Sequence, residues 1–247
     1  MDLMILVIKM FIKLFNEDVL KLLQRLKNES VDLIITDPPY GINIDCGSSG
    51  RGEYKDRVYG RGMTNDNPID ANNLFKRYII EFERVLKPNS DCYIFTRFDV
   101  YPYWYLYTKK LCKELSVKNC IIWIKNNQGM GDLEANWCLA YEMIMYLKKG
   151  RRKLKERKLN IIDAYFYGNF ERTIHPTEKI KEILLPLLIQ SSDEGDVVLD
   201  TFMGTGSVGK VCLENNRSFI GGEIEKKWFD ITTSWFNGKK NSKNNFQ

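Results

Sequence analysis

The segment from Val197 to Glu223 constrains this chain more than any other. An apolar run, Val197-Val198-Leu199, ends in Asp200 and leads into Thr201-Phe202-Met203-Gly204-Thr205-Gly206. A helical stretch, Ser207–Asn215, follows, and a second apolar run, Ser218–Glu223, closes on an acid. A strand, a glycine turn, a helix and a strand in this order are joined by a crossover, which makes the two strands parallel. Gly204 and Gly206 let the backbone turn tightly and approach a ligand. A dinucleotide unit carries an acid about 20 residues after its first strand to take ribose hydroxyls, which makes Glu223 a candidate ligand, with Gly221-Gly222 ahead of it permitting close approach. Taken singly, the glycine string reads as a tight strand-to-helix turn and Glu223 as a surface carboxylate. A nicotinamide cofactor is disfavoured, because the full G-x-G-x-x-G is missing and no hydride-transfer His or Lys presents itself.

The rest of the chain repeats the alternation. Strands are expected at Lys9–Phe15, Val31–Thr36, Cys92–Phe95, Ile121–Ile124 and Met143–Leu147. Helices are expected at Asp18–Leu26, with Val19, Leu22, Leu23 and Leu26 on one side, at Asn72–Leu86, stopped by Pro88, and at Tyr101–Leu115. Two more are expected at Glu178–Gln190, which Pro186 should kink or break, and at Glu225–Phe236. The expected fold class is α/β, a Rossmann-like doubly wound, mostly parallel sheet. With 247 residues and neither an internal repeat nor a Pro- or Ser-rich linker, residues 1–247 read as one domain with insertions at about 41–68, 126–137 and 148–174.

Four residues at the end of the Val31–Thr36 run carry the chemistry: Asp37-Pro38-Pro39-Tyr40. The prolines fix φ and leave rigid carbonyl acceptors at the sheet edge. An ionised Asp37 only accepts hydrogen bonds, and Tyr40 offers a flat ring. Such a surface suits a planar ring that bears an exocyclic amine. The same residue types also make ordinary turns, so the surrounding blocks decide.

Those blocks give the chain its resemblance to the amino-methyltransferases that modify adenine or cytosine in nucleic acid. Asp37-Pro38-Pro39-Tyr40 resembles their catalytic motif, Asp200–Gly206 their loop for S-adenosylmethionine, and His175-Pro176-Thr177-Glu178-Lys179 a block at the methionine end of that cofactor. The order, catalytic motif then His175 block then glycine loop, is the permuted order of the β class. The resemblance runs from about Phe15 to Trp235 and is weakest at residues 46–68 and 148–173. It implies S-adenosylmethionine as cofactor, held by Asp200, Phe202, Met203, Gly204, Thr205 and Gly206, with Glu223 on the ribose and Asp18 at the adenine. Glu17 stands where the family commonly has glycine. Asp37 would lie near the cofactor amino group, and His175, Thr177 and Lys179 at its methionine end, Thr177 and Lys179 on the carboxylate. Thr177 also reads as a helix N-cap. The implied catalytic residues are Asp37, Pro38, Pro39 and Tyr40, and the implied reaction is methylation of N6 of an adenine flipped out of double-stranded DNA. An initial Asp rather than Ser favours adenine. Cytosine N4, adenine in RNA, and an inert nucleic-acid-binding subunit are the alternatives, and a homodimer is left open.

Charge and rare residues narrow the field. The net charge is +5, but Lys148–Lys158 alone holds eight cations and one anion. Such a run is a solvated loop or, in a protein that grips a polyanion, a phosphate surface. Lys148, Lys149, Arg151, Arg152, Lys153 and Lys155 are therefore candidate DNA contacts, as are Arg51, Arg57 and Arg61 in the Gly41–Pro68 loop. Six cysteines without a C-x-x-C pair read as reduced residues of a cytoplasmic protein, and no metal site is expected. The single histidine, His175, has no nucleophile motif beside it, which removes most hydrolase mechanisms. Residues 1–8 are apolar yet too short for a membrane span. They fit an added strand or an upstream start equally.

Overall fold

The computed structural model describes residues 10–41, 68–125, 137, 139–164 and 178–244. Their strands are β1 (Ile12–Phe15), β2 (Val31–Thr36), β3 (Leu86–Thr96), β4 (Leu115–Ile124), β5 (Tyr141–Lys149), β6 (Ile161–Asp163), β7 (Val197–Asp200) and β8 (Ser218–Gly222). The helices are α1 (Val19–Arg25), α2 (Pro68–Val85), α3 (Tyr101–Leu111), α4 (Lys181–Ser191), α5 (Ser207–Glu214) and α6 (Lys226–Asn244). One sheet holds all eight strands in the order β1-β8-β7-β2-β3-β5-β4-β6, and β5 alone runs against the rest. The doubly wound, mostly parallel α/β fold expected from the sequence is the fold observed.

Burial on both faces explains the composition of the central strands. β2 buries five of its six residues, which suits a strand covered by helices above and below. On one face Val19, Leu22 and Leu23 of α1, Phe75, Tyr78, Ile79 and Phe82 of α2, and Trp104 of α3 form a core. On the other, Ile183, Leu184, Leu187 and Leu188 of α4, Val208 and Val211 of α5, and Phe236 of α6 form a second. Among the described residues no helix is long and apolar enough to cross a membrane.

Several boundaries differ from expectation for identifiable reasons. α2 starts at Pro68, where proline's fixed φ suits a first helical residue. It ends at Val85, and Leu86 already pairs with Val31 as the start of β3. Pro88 falls where the β2–β3 register shifts between Val31 and Leu33, an irregularity that tolerates a missing N–H. α3 stops at Leu111 because the next turn is captured by α2. One carboxylate oxygen of Glu83 accepts the backbone N–H groups of Lys113 (2.8 Å), Glu114 and Leu115 (2.8 Å). Pro186 lies inside α4 without ending it; the four buried apolar side chains that dock this helix outweigh one lost backbone bond. α6 runs past Phe236 to Asn244.

Two consequences position the site. β1 pairs with β8 in register Ile12↔Phe219 to Phe15↔Gly222, so the first strand extends the βαβ unit at the other end of the chain. From the β7/β2 pair the chain winds outward in opposite directions, through α5 to β8 and through α2 to β3. A doubly wound sheet opens its ligand crevice at such a switch, beyond the carboxyl ends of the strands.

Candidate active site at the carboxyl edge of the sheet

Asp37 leaves β2 and Asp200 ends β7, side by side at the switch point. Thr36 fastens the two strand ends together: its Oγ1 donates to Asp200 Oδ1 at 2.8 Å. Phe202 N–H donates to the same oxygen at 3.1 Å. Asp200 is almost wholly enclosed, and burial pushes its carboxyl up to about 7, a rise only partly opposed by these two donors.

Asp37 is the centre of a charged cluster. Its Oδ1 accepts the Tyr40 hydroxyl and its Oδ2 the Lys179 ammonium. The Lys179 Nζ also stands 3.4 Å from Glu142 Oε2, while Lys125 donates to Glu142 Oε1. Burial raises the Asp37 carboxyl; the Lys179 charge opposes this and the Glu142 charge reinforces it. Burial would raise Glu142 as well, but Lys179 and Lys125 together hold it below the ordinary range. For Lys179, burial favours the neutral amine, and Asp37 and Glu142 more than reverse that. Glu142 and Lys125 are functional candidates that the sequence did not mark. Glu142 is one acid beside an apolar run, and its meaning depends on the reversal of β5, which brings its first residues to the carboxyl edge beside the end of β4.

Tyr40 is half-buried rather than presented as a free platform, with its ring 6.3 Å from that of Trp104. Trp104 in turn stacks on Phe75 at 4.5 Å and donates from Nε1 to Asn72. A cavity of about 130 Å³ opens beside Tyr40, lined by Asn72, Arg97, Asp99 and Tyr103 among others.

The glycine loop has the conformation its residues suggested. Gly204 has φ +49° with open space where a side chain would stand. Gly206 has φ +80°, and a Cβ there would meet Thr232 of α6 at 2.7 Å. Glu223 Oε2 accepts Gly204 N–H at 3.0 Å and Oε1 accepts Glu225 N–H at 2.7 Å, which fixes the carboxylate over the loop with lone pairs to spare. The hydroxyl of Thr205 is buried and makes no hydrogen bond among the described residues. Met203 is buried, and Phe202 packs edge-on against Tyr78 at 5.7 Å. Asp18 caps α1 by accepting Leu20 N–H at 2.9 Å. It follows β1, whose end is tied to Glu223 by Asn16. One expectation is corrected. Gly221 and Gly222 make room for protein rather than ligand, since added Cβ atoms would meet Met203 Sδ and Leu22 Cδ2, each at 2.5 Å.

The structure divides the candidate DNA contacts. Arg51, Arg57 and Arg61, with His175 and Thr177, lie outside the described residues. The run from Lys148 begins at the end of β5, which the Ser90↔Lys149 and Thr96↔Met143 pairings put at the sheet edge opposite Asp37. Lys149 is buried, donating to Glu83 O and Leu86 O at 2.9 Å each. Lys148 pairs with Asp91 at 3.4 Å, Arg152 with Asp193 at 3.0 Å, and Lys155 with Asp193 at 2.6 Å. Arg151 and Lys153 are exposed there. This run therefore starts from the sheet edge opposite Asp37, with Lys148, Lys149, Arg152 and Lys155 engaged by protein partners and Arg151 and Lys153 exposed.

The DNA methylase family of the N6/N4 type matches residues 31–234. The chain belongs to this family. It is 28% identical to the type II methyltransferase M.HpaI of Haemophilus parainfluenzae, over 92% of this chain and 76% of that protein. It is 27% identical to the DNA adenine methyltransferase YhdJ of Escherichia coli K12, over 88% and 80%. In fold it is similar to the M1.HpyAVI–SAM complex, with TM-score 0.66 and 24% identity over 91% of this chain and 99% of that one. The cytosine-N4-specific PvuII DNA methyltransferase gives TM-score 0.72 at 12% identity, over 90% and 85%. A relative named for adenine and a structural neighbour named for cytosine N4 thus both stand among the proteins it is similar to.

Proposed function

We propose that this methylase transfers the methyl group of S-adenosylmethionine to N6 of adenine, in a nucleotide flipped out of double-stranded DNA. The observation that carries the reading is the convergence of Asp37, Asp200 and Glu223 at one switch point, with open space at Gly204, whose N–H the Glu223 carboxylate holds. The residues present fit the cofactor: a fixed carboxylate for two hydroxyls, a buried Thr205 hydroxyl with no hydrogen bond among the described residues, and paired charges of both signs, Asp37 and Lys179, for an amino acid end.

When bound, S-adenosylmethionine supplies an electrophilic methyl group on sulfur. The chain does the rest. An aromatic amine is a weak nucleophile because its lone pair is delocalised into the ring. Asp37 and the Pro38 carbonyl accept its two N–H groups and draw the nitrogen toward tetrahedral geometry. The same acceptors stabilise the positive charge that grows on nitrogen, as preorganised electrostatics in a partly dry site. Fixing both reactants lowers the entropic part of the barrier. Tyr40 then stacks on the flipped base at the mouth of its cavity. The opening Asp of the motif, where the resemblance also knows Ser, supports adenine over cytosine.

Incubation with labelled S-adenosylmethionine and duplex DNA, followed by digestion to nucleosides, tests this. Label in N6-methyladenine is expected. Label in N4-methylcytosine would change the base, label only in RNA would change the polymer, and no label would leave a binding subunit.

A further inference from the structure

Resting on that function, the charged cluster poses a difficulty for Asp37. Both of its oxygens are already engaged, one by the Tyr40 hydroxyl and one by the Lys179 ammonium. An ion-paired carboxylate draws an incoming amine more weakly than one with its charge available. Withdrawing Lys179 from Asp37 with no second acceptor at hand would leave a buried ammonium undercompensated, which is costly.

The geometry supplies a second partner. Glu142 Oε1 is held by Lys125, whose ammonium rests 4.7 Å over the Trp123 ring. Glu142 Oε2 is buried, accepts no hydrogen bond among the described residues, and faces Lys179 Nζ at 3.4 Å. That gap is about 0.6 Å beyond a charged N–H···O bond of about 2.8 Å. The Phe95 ring, 5.0 Å from Lys179 Nζ, attends the same ammonium. Lys179 can thus transfer its hydrogen bond from Asp37 to Glu142 with little displacement and without passing through an unpaired state.

We propose that Glu142 is a positioning residue: it takes the Lys179 ammonium as the acceptor amine arrives, and so releases Asp37 Oδ2 to the amine. In the resting site Lys179 keeps Asp37 compensated. In the reacting site Glu142, anchored from behind by Lys125, keeps Lys179 compensated.

Single-turnover methyl transfer at saturating S-adenosylmethionine, with DNA affinity measured in parallel, tests the proposal. Glu142→Gln is expected to lower the single-turnover rate about tenfold, the scale of one hydrogen bond to a charged group, with DNA affinity within about twofold of wild type on the same scale. Glu142→Asp, which keeps the charge, is expected to recover part of the rate. In a Lys179→Met background Glu142→Gln should add no further loss, because the residue acts through Lys179. A wild-type rate in Glu142→Gln, or the full loss repeated on top of Lys179→Met, would overturn the proposal. Should Glu142→Gln not fold, Glu142→Asp set against Lys179→Met decides by the same non-additivity. A wild-type enzyme that methylates no base would instead bring down the function on which this rests, so the two failures are distinct.

Discussion

Asp200 shows how one side chain can serve the site at a cost to the fold. Its carboxyl titrates near 7 in the folded protein, against about 3.9 for an ordinary aspartate. The folded state therefore holds a proton that the unfolded chain has released, and stability falls as pH rises from about 4 through 7. Asp200→Asn keeps an oxygen for Thr36 and Phe202 and removes the charge. It should raise stability at pH 8 by about 1–3 kcal/mol, with the gain fading toward pH 4; urea denaturation at both pH values checks this. Burial raises the Glu223 carboxyl as well, and the Glu225 and Gly204 N–H groups oppose that rise. Glu223→Ala should weaken S-adenosylhomocysteine binding by about 1.5–3 kcal/mol, the value of hydrogen bonds to a charged group, and leave DNA affinity unchanged. Calorimetry that found equal affinity would move the ribose elsewhere. Asp37→Ala should abolish single-turnover transfer while leaving the thermal transition near that of wild type; a retained rate would remove Asp37 from catalysis.

At the scale of elements, the sequence was most legible where one residue type has one local meaning. The glycine turn, the strand–acid endings and the apolar stripe of α2 are all legible in the sequence, because each follows from backbone geometry or from a period. Ends decided by distant partners were not legible. Glu83 of α2 stops α3 by accepting three N–H groups from the following turn, and no local signal announces a partner so far away in sequence. Lys149 misled for the same reason. In a run of cations it looks solvated, yet it closes the carboxyl end of α2, with Glu29 and Glu114 each 3.6 Å away. Lys149→Met should therefore cost about 1–3 kcal/mol by leaving two buried carbonyls unsatisfied, measured by chemical denaturation; a neutral result would return it to the surface class.

Across the whole molecule, the sheet sorts the chain into two edges. The ends of β2, β4 and β6 and the start of β5 lie on the Asp37 edge. The cationic run from Lys148 is anchored on the other. Neutralising exposed Arg151 and Lys153 should therefore leave the slope of log DNA affinity against log salt unchanged, where each lost phosphate contact would remove close to one unit. A shallower slope would bring DNA around to the far edge.

The pairing of β1 with β8 also sets a timetable for the newborn chain. Phe11 and Ser218, which hydrogen-bond across this seam, are 207 positions apart. At about 5–20 residues per second, β1 waits on the order of 10–40 s after leaving the ribosome for its neighbour to exist. Until then its apolar side chains have no sheet to join, and β2 and β3 are available to each other much sooner. Pulse-labelled hydrogen exchange during refolding should show amides 12–15 protected together with β8 and later than β2; earlier protection would contradict this order. Glu223 sits on the same seam, its N–H bonded to Phe15 O at 3.0 Å. A ligand held by Glu223 would thus clasp β1 to β8, and tighten that closure each time it binds.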